Sequence, residues 1–165
     1  MPPRVRPASD ADVAAIARIY GHAVRDSVAT FDITNPPVSY WANKLASSDN
    51  GDHLLVVEHG PVVMGYAFST AFRPRAAYAQ TRETSVYLAP DAVGIGLGTL
   101  LYTELLSLLR TDGMHIALAV VAMQNPASVA LHERLGFELA GTLREVGRKF
   151  DRWIDTRWYQ LNLGP

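Results

Sequence analysis

Hydrophobic residues recur along this chain with two spacings, one of three to four positions and one of two. The wider spacing predicts amphipathic helices, and short runs rich in β-branched and apolar residues predict strands. The predicted strands are residues 4–7, 53–58, 62–69, 81–88, 116–122, 137–143 and 153–163. The predicted helices are a first one capped by Ser9, a second at 39–46, a third at about 96–110 and a fourth capped by Asn125. Strands alternating with helices indicate the α/β class.

Two segments do not follow either spacing. Residues 116–122 are apolar at every position, so this strand is expected to be buried on both faces. Residues 72–80 contain arginines and show no periodicity, so they are predicted to form a loop between two strands.

A glycine-rich turn joins the predicted strand at 81–88 to the predicted helix at 96–110. Gly94, Gly96 and Gly98 alternate there, and a strand that turns through glycines into a helix presents unpaired backbone N–H groups. The helix dipole adds partial positive charge, so this turn is a candidate phosphate site. The dinucleotide fingerprint fails, since its third glycine is missing and no carboxylate lies about 20 residues further on. No lysine follows for a Walker loop, and a plain tight turn remains the alternative.

Composition narrows the class of protein. The 165 residues suit a single domain, here 1–165, and a net charge of −1 gives no broad basic face for nucleic acid. Without cysteine the chain has no disulfide and no thiolate nucleophile, and its histidines show no metal-binding spacing, so no metal is expected. No apolar run approaches the roughly 20 residues of a membrane span, and no signal peptide is recognisable. A cytoplasmic protein without membrane contact is therefore expected.

Two motifs follow one another along the second half of the chain. The first runs from Ser85 through Pro90 into the glycine turn, and the second is formed by six residues of the fourth helix and its exit. These six are Asn125, Ser128, Leu131, His132, Gly136 and Phe137. Together the motifs resemble the GNAT N-acetyltransferase superfamily, in which they bind the pyrophosphate and the pantetheine arm of acetyl-CoA. The resemblance implies the GNAT fold, a mixed and mostly antiparallel central sheet flanked by helices.

Segments along nearly the whole chain resemble one branch of that superfamily, the phosphinothricin and methionine sulfoximine N-acetyltransferases. They are residues 4–8, 19–24, 30–31, 72–75, 81–87 and 146–153. The resemblance implies an acetyl-CoA-dependent acyltransferase that acetylates the α-amine of a small amino-acid-like substrate, serves detoxification and forms a homodimer. Trp41, Trp153 and Trp158 are the expected candidates for subunit contacts. One departure is Val93, where the branch has Arg or Gln, and the missing side-chain contact predicts weaker acetyl-CoA binding.

Acetyl transfer to an amine needs a base for the amine proton and a proton donor for the departing thiolate. Glu83 precedes the segment that pairs with pantetheine in the family, and it is the predicted base, acting directly or through a water. The alternative for Glu83 is a surface glutamate at the start of a strand. His132 is the predicted donor or relay near the sulfur, since imidazole titrates near neutrality. The alternative for His132 is a hydrogen-bonded core residue.

The remaining candidate residues bind the two substrates. The resemblance implies contacts to acetyl-CoA from Ser85, Val86, Tyr87, Val93, Gly94, Ile95, Gly96, Leu97, Gly98, Asn125 and Ser128. Arg73, Arg75 and Arg82 flank Glu83, and a guanidinium pairs with a carboxylate or phosphinate through two parallel hydrogen bonds. With Glu83 these arginines form the predicted substrate site, in which Arg75 has the alternative of a solvated loop charge.

Three other functions stay open at this point. Acetylation of a peptide or protein N-terminus is compatible with the same motifs. Acetylation of an aminoglycoside is disfavoured, because residues 72–82 carry arginines where a polycation would need carboxylates. A non-catalytic acyl-CoA-binding module is favoured by Val93 and disfavoured by the presence of Glu83 and His132.

Overall fold

The computed structural model describes residues 1–165. The elements in chain order are β1 (Arg4–Pro7), α1 (Val13–Asp26), α2 (Val38–Leu45), β2 (His53–His59), β3 (Val62–Ala71), β4 (Thr81–Leu88), α3 (Leu97–Thr111), β5 (Ile116–Ala122), α4 (Pro126–Arg134), β6 (Glu138–Lys149) and β7 (Arg152–Asn162). Short 3₁₀ turns lie at Asp10–Asp12, Ala76–Tyr78 and Pro90–Ala92. The predicted α/β class is confirmed. No helix combines the length and the hydropathy needed to cross a membrane.

The strands form one sheet in the order β1-β2-β3-β4-β5-β7-β6. Neighbouring strands are antiparallel except for β4 and β5, which confirms the predicted mixed and mostly antiparallel sheet. β4 and β5 pair only between residues 81–83 and residues 116–118. Beyond these residues β4 stays paired with β3 and β5 stays paired with β7, so the two strands diverge. A gap therefore opens in the middle of the sheet.

Helices cover both faces of the sheet and bury two separate cores. On one face α3 packs Leu101 and Leu105 into a core that continues over β2, β3, β5 and β7. On the other face Ile16 of α1 and Trp41 of α2 pack over β2 and β3. β2 is buried on both faces, because alternate residues enter the two cores, Leu54 and Val56 one of them, Leu55 and Val57 the other.

β5 does not have the burial that its composition predicts. Only alternate residues are buried towards α3, and Ile116, Leu118 and Val120 are half-buried. The reason is that α1 and α2 pack over β2, β3 and β4 and leave this face of β5 without a covering helix. The expected burial on both faces is therefore wrong for β5, and its uncovered face borders the gap.

β6 is longer than its sequence pattern predicts, since it reaches Lys149 rather than ending near residue 143. It is the edge strand of the sheet and is exposed along most of its length. Its residues therefore do not alternate between apolar and polar, and no such alternation marks where the strand ends. A tight turn through Phe150 and Asp151, both at positive φ, connects it to β7.

The three tryptophans occupy different environments. Trp41 is only 1% exposed and packs edge-on against Tyr20 and Tyr66, so it is a core residue. The expectation that Trp41 forms a subunit contact is therefore wrong. Trp158 is half-buried, packs against Phe72 and donates its indole N–H to Thr156. Trp153 is 61% exposed on the β6–β7 hairpin.

The loop between α1 and α2 is held by that hairpin. The buried ammonium of Lys149 donates hydrogen bonds to the carbonyl oxygens of Ser27 (2.7 Å) and Thr30 (2.8 Å). Gly147 leaves room for the ring of Phe31, since a β-carbon at position 147 would lie 2.2 Å from it. These contacts fix a loop that borders the gap between β4 and β5.

Candidate active site

A cavity of about 530 Å³ lies where β4 and β5 diverge. Its walls are residues 84–88 of β4, residues 120–122 of β5, the glycine turn with the start of α3, and one side of α4. On the side that faces β5, the backbone of β4 after Glu83 has no strand partner, so its N–H and C=O groups are free to bind a ligand. Ser85, Val86 and Tyr87, for which contacts to acetyl-CoA are predicted, line this cavity.

The glycine turn brings unpaired backbone N–H groups to one end of the cavity. Gly94 and Gly96 have φ of 84° and 86°, a conformation that residues with a β-carbon rarely adopt. Gly96 is the N-cap of α3 and provides no side-chain cap, and the first helical hydrogen bond comes from Leu100 N–H to Gly96 O. The N–H groups of Leu97, Gly98 and residue 99 therefore have no partner in the helix. These are the N–H groups of the turn that the sequence indicates as a candidate phosphate site.

The other residues of the turn for which contacts to acetyl-CoA are predicted differ in where they lie. Val93 lines the cavity with a side chain that is 58% exposed, and it supplies no charge. Ile95 is 63% exposed and lies outside the cavity lining. Gly98 allows α3 and α4 to approach closely, because a β-carbon there would lie 3.2 Å from Leu131.

α4 presents two further predicted residues to the cavity. Asn125 is its N-cap, and Asn125 Oδ1 accepts a hydrogen bond from Ser128 N–H at 3.2 Å. Both residues line the cavity. The cap satisfies one helix-terminal N–H, and it leaves the side-chain amide N–H of Asn125 free to donate.

A buried chain of hydrogen bonds crosses the point of divergence. His132 Nδ1 lies 2.7 Å from Ser128 O, which can only accept, so Nδ1 carries the proton. His132 Nε2 then accepts from the Tyr102 hydroxyl at 2.9 Å. Thr84 Oγ1 lies 2.8 Å from the Tyr102 oxygen and 2.9 Å from Leu118 O, and because Tyr102 donates its proton to His132, the single Thr84 proton is shared between these two acceptors. The chain thereby links α4, α3, β4 and β5.

This network explains the state of His132. The side chain is 4% exposed, and burial lowers its pKa, so the imidazole is neutral near neutral pH. Both ring nitrogens are occupied by hydrogen bonds. Sequence reasoning missed Tyr102, although a lone tyrosine on the leucine-rich face of α3 is a usable signal, because a buried hydroxyl needs a partner.

Glu83 lies at the last pair of β4 and β5, opposite Leu118. It is half-buried, and its side chain points to the face of the sheet opposite Thr84, so it does not line the main cavity. Burial raises the pKa of Glu83, and the positive charges of Arg73 and Lys44 act in the opposite direction. A carboxylate with a raised pKa at the edge of a cleft is suited to accept a proton.

The structure separates the three predicted arginines. Arg73 is exposed, lies over the ring of Phe72 and is near enough to lower the pKa of Glu83. Arg75 is exposed on the loop. Arg82 is 7% exposed on the opposite face of β4, and its guanidinium pairs with Asp52 at 2.8 Å. The predicted role of Arg82 in substrate binding does not agree with this placement.

The strand period explains why Arg82 is separated from Glu83. Consecutive residues of a strand point to opposite faces, so these two side chains cannot share a site while β4 is regular. Arg82 instead joins β4 to the loop before β2 through Asp52 and the carbonyl of Asn50. No group of three or more His, Asp or Glu side chains is arranged to hold a metal ion.

The split sheet and the uncapped helix start together form a cleft with unpaired N–H groups at one end, which is suited to a ligand that carries an anionic group. Residues 5–158 match the acetyltransferase (GNAT) domain. The chain therefore belongs to the GNAT acetyltransferase family and is an acetyltransferase, which confirms the family predicted from the two motifs.

Relatives match along almost the full length of the chain. It is 41% identical to a phosphinothricin N-acetyltransferase of Streptomyces coelicolor, over 97% of this chain and 96% of that protein. It is 39% identical to an L-methionine sulfoximine/L-methionine sulfone acetyltransferase of Pseudomonas paraeruginosa, over 98% and 95% respectively. A solved phosphinothricin acetyltransferase from Sinorhizobium meliloti in complex with acetyl-CoA superposes with a TM-score of 0.94, at 38% identity over 99% of this chain and 90% of that chain.

The buried hydrogen-bond network of His132, Tyr102 and Thr84 gives a first prediction. Tyr102→Phe removes a hydroxyl that serves His132 and Thr84, so we expect it to lower the free energy of unfolding by about 1–3 kcal/mol in urea denaturation. Tyr66→Phe is the matched control, because the Tyr66 hydroxyl is buried without a partner and its removal is expected to be neutral or stabilising. Equal losses in the two variants would show that the network adds nothing.

Proposed function

We propose that this acetyltransferase moves the acetyl group of acetyl-CoA to the α-amine of a small amino-acid-like substrate of the phosphinothricin or methionine sulfoximine type. The observation that carries the proposal is the cavity between β4 and β5, which has unpaired helix-start N–H groups at one end and Glu83 beside its vertex. The named relatives support the substrate class.

The cavity offers a separate surface to each part of the cosubstrate. The N–H groups of residues 96–99 face the diphosphate, where the dipole of α3 favours negative charge. The free edge of β4 pairs with the amide groups of the pantetheine, and Asn125 and Ser128 contact it from α4. Because Val93 supplies no cation in the turn, the backbone carries most of the diphosphate binding, and we expect affinity below that of an Arg-bearing relative.

The reaction itself needs few groups. The neutral amine attacks the thioester carbonyl, the C–S bond breaks, and Glu83 receives the amine proton directly or through a water. Glu83 faces the α2 side of β4, so the amine approaches from there, while the acyl carrier lies in the gap. Arg73, whose charge acts on Glu83, and Arg75, on the same exposed loop, are the candidates to bind an anionic group of the substrate.

His132 acts through Tyr102 in this scheme. Direct protonation of the thiolate by His132 would require it to give up one of its two hydrogen bonds. We therefore assign it a positioning role: it accepts from Tyr102, whose hydroxyl is held against Thr84 at the vertex of the gap. The departing thiolate takes its proton from water or from the protonated Glu83.

Thiol release with acetyl-CoA and a panel of amines tests the substrate class. We expect phosphinothricin or methionine sulfoximine to give the highest kcat/KM, above a peptide N-terminus and above an aminoglycoside. A peptide as the best acceptor would favour a protein N-terminal acetyltransferase. Saturable acetyl-CoA binding without thiol release on any amine would overturn the proposal in favour of a non-catalytic binding module.

Substitution of the base gives a second, more local prediction. Glu83→Gln is expected to lower kcat/KM by roughly 10²–10⁴ fold at neutral pH. In the unchanged enzyme kcat/KM should fall on acidification through the pKa of Glu83, which burial places above the ordinary carboxyl value, because only the ionised form accepts a proton. That acid limb should be missing in Glu83→Gln, whereas the titration of the substrate amine remains in both.

Glu104→Gln is the matched control for this experiment. Glu104 is exposed on α3, so this substitution removes one charge without touching the site. It is expected to keep both the rate and the acid limb. A pH profile of Glu83→Gln that merely scales the profile of the unchanged enzyme would exclude Glu83 as the base.

We also propose a homodimer in which a second copy covers the β6–β7 hairpin. β6 is the edge strand of the sheet and is unpaired on its outer side, and the apolar side chains on the hairpin are about half exposed or more. These are Leu139, Leu143, Val146, Phe150 and Trp153. The support comes from this surface and from the resemblance to the branch.

Sedimentation velocity tests the dimer. Trp153→Asp should convert a dimer into an 18.0 kDa monomer, because a charge would be buried at the interface. Val62→Asp, at a position that is 49% exposed on β3, is the control and should leave the mass unchanged. A monomer at all concentrations of the unchanged protein would contradict the proposal.

We place the reaction in the cytoplasm, where acetyl-CoA is available. Acetylation removes the charge and the nucleophilicity of the α-amine, so a toxic amino-acid analogue would lose the group by which amino-acid enzymes recognise it. Detoxification is therefore the proposed role of this activity.

A further inference from the structure

Lys44, in the last turn of α2, has unusual surroundings for a lysine. Its side chain is half-buried, with Nζ 4.3 Å from the centre of the Phe68 ring and 5.2 Å from the centre of the Tyr40 ring. The ammonium has no carboxylate oxygen within 4.0 Å and makes no hydrogen bond. A cation that is partly removed from water and held by aromatic faces alone is ready to bind an anion.

The position of Phe68 brings Lys44 to the side of the sheet that carries Glu83. In the antiparallel pair β3–β4, Phe68 lies opposite Ser85 and Thr70 lies opposite Glu83. Opposed and diagonal residues of such a pair share a face, so Lys44 stands over the neighbour of the proposed base. Consistently, the charges of Lys44 and Glu83 act on each other's pKa, while burial lowers the pKa of Lys44 and raises that of Glu83.

No carboxylate on this face forms an ion pair with Lys44. Lys44 and Arg73 both act on Glu83, which is the single carboxylate between them. Asp52 also acts on Lys44, but its carboxylate already pairs with Arg82 at 2.8 Å and accepts from Ser47. Asp32, whose charge acts on Tyr40 and Tyr87, accepts a hydrogen bond from Tyr20. Lys44 therefore has no anionic partner of its own at the side from which the amine approaches Glu83.

We propose that Lys44 is a specificity-determining residue that binds the α-carboxylate of the acceptor while the α-amine lies against Glu83. The inference rests on the proposed function and deepens it, because Lys44 would select free α-amino acids over amines that lack a carboxylate. A bound α-carboxylate gives Lys44 the ion-pair partner that the chain itself does not supply. Because the ammonium is partly desolvated before binding, the ion pair is stronger than one formed at a fully exposed side chain.

The test compares an amino acid with its α-carboxamide in the unchanged enzyme and in three variants. The substrates are the best amino acid of the amine panel, with methionine sulfoximine as the first choice, and its α-carboxamide. Lys44→Met keeps the apolar stem and removes the charge, Lys44→Arg keeps the charge, and Arg18→Met removes a charge from an exposed position of α1. The ratio of kcat/KM for acid over amide is the readout, since differences in amine basicity cancel between enzymes.

We expect Lys44→Met to reduce the acid-over-amide ratio by roughly 10- to 100-fold, mainly through KM for the acid. Lys44→Arg should retain most of the ratio, and Arg18→Met should retain all of it. A loss of kcat/KM that is equal for acid and amide would overturn the inference, because it would mean that Lys44 acts on Glu83 or on the fold. An unchanged ratio would overturn it as well.

Failure of the proposed function is distinguishable from failure of this inference. The first is seen in the unchanged enzyme, as absence of acetylation of any amino acid, before a variant is made. The second is seen only in the ratios. If Lys44→Met does not fold, Lys44→Gln carries the same comparison, because it also removes the charge and remains polar at the half-exposed end of the side chain.

Discussion

The short parallel pairing of β4 with β5 is the constraint on which the rest of the site depends. The strands share hydrogen bonds only over residues 81–83 and 116–118, and each is then held by its antiparallel neighbour on the outer side. The point where β4 and β5 separate is filled by buried polar side chains that are hydrogen-bonded to one another, and this stabilises the separation. Thr84, Tyr102 and His132 join both strands to the helices that form the cavity walls. In the interior, polar groups that were not paired in this way would favour collapse of the gap.

The alternation of side chains along β4 separates scaffold from chemistry. Arg82 and Thr84 point to the α3 face, where one is paired with Asp52 and the other belongs to the buried chain. Glu83 and Ser85 point to the α1–α2 face, which lacks a covering helix near β5. A single strand thus braces the gap with one set of side chains and offers the other set to a substrate. The acyl carrier and the amine can therefore reach the same vertex without crossing.

Much of this arrangement was predictable from the sequence, and the reason is locality. Some features depend on residues that are near one another in the chain, where the hydrophobic period and the turn residues carry the information. These are the helix start at Gly96, the cap by Asn125 and the succession of strands along the sequence. The burial of Trp41 and the placement of Arg82 depend on tertiary contacts. Lys149 binds Thr30 across 119 positions, and Tyr102 meets His132 across 30. No local pattern contains such a pairing, although the strand period alone separates Arg82 from Glu83.

The distribution of charge distinguishes the two substrates more sharply than the net charge of −1 would suggest. The glycine turn has no cation, so it offers a diphosphate only backbone dipoles, which are fixed in place by the helix and by two glycines at positive φ. On the α1–α2 face, Lys44 and Arg73 both act on the half-buried carboxylate of Glu83. Fixed dipoles favour any ligand with a diphosphate of the right length, whereas a cation without an ion-pair partner favours acceptors that bring an anion. If Glu83 is the base and Lys44 binds the α-carboxylate, as proposed, selectivity for the acceptor and binding of the donor are built from different elements. Residues of α2 would then change the acceptor without altering the glycine turn.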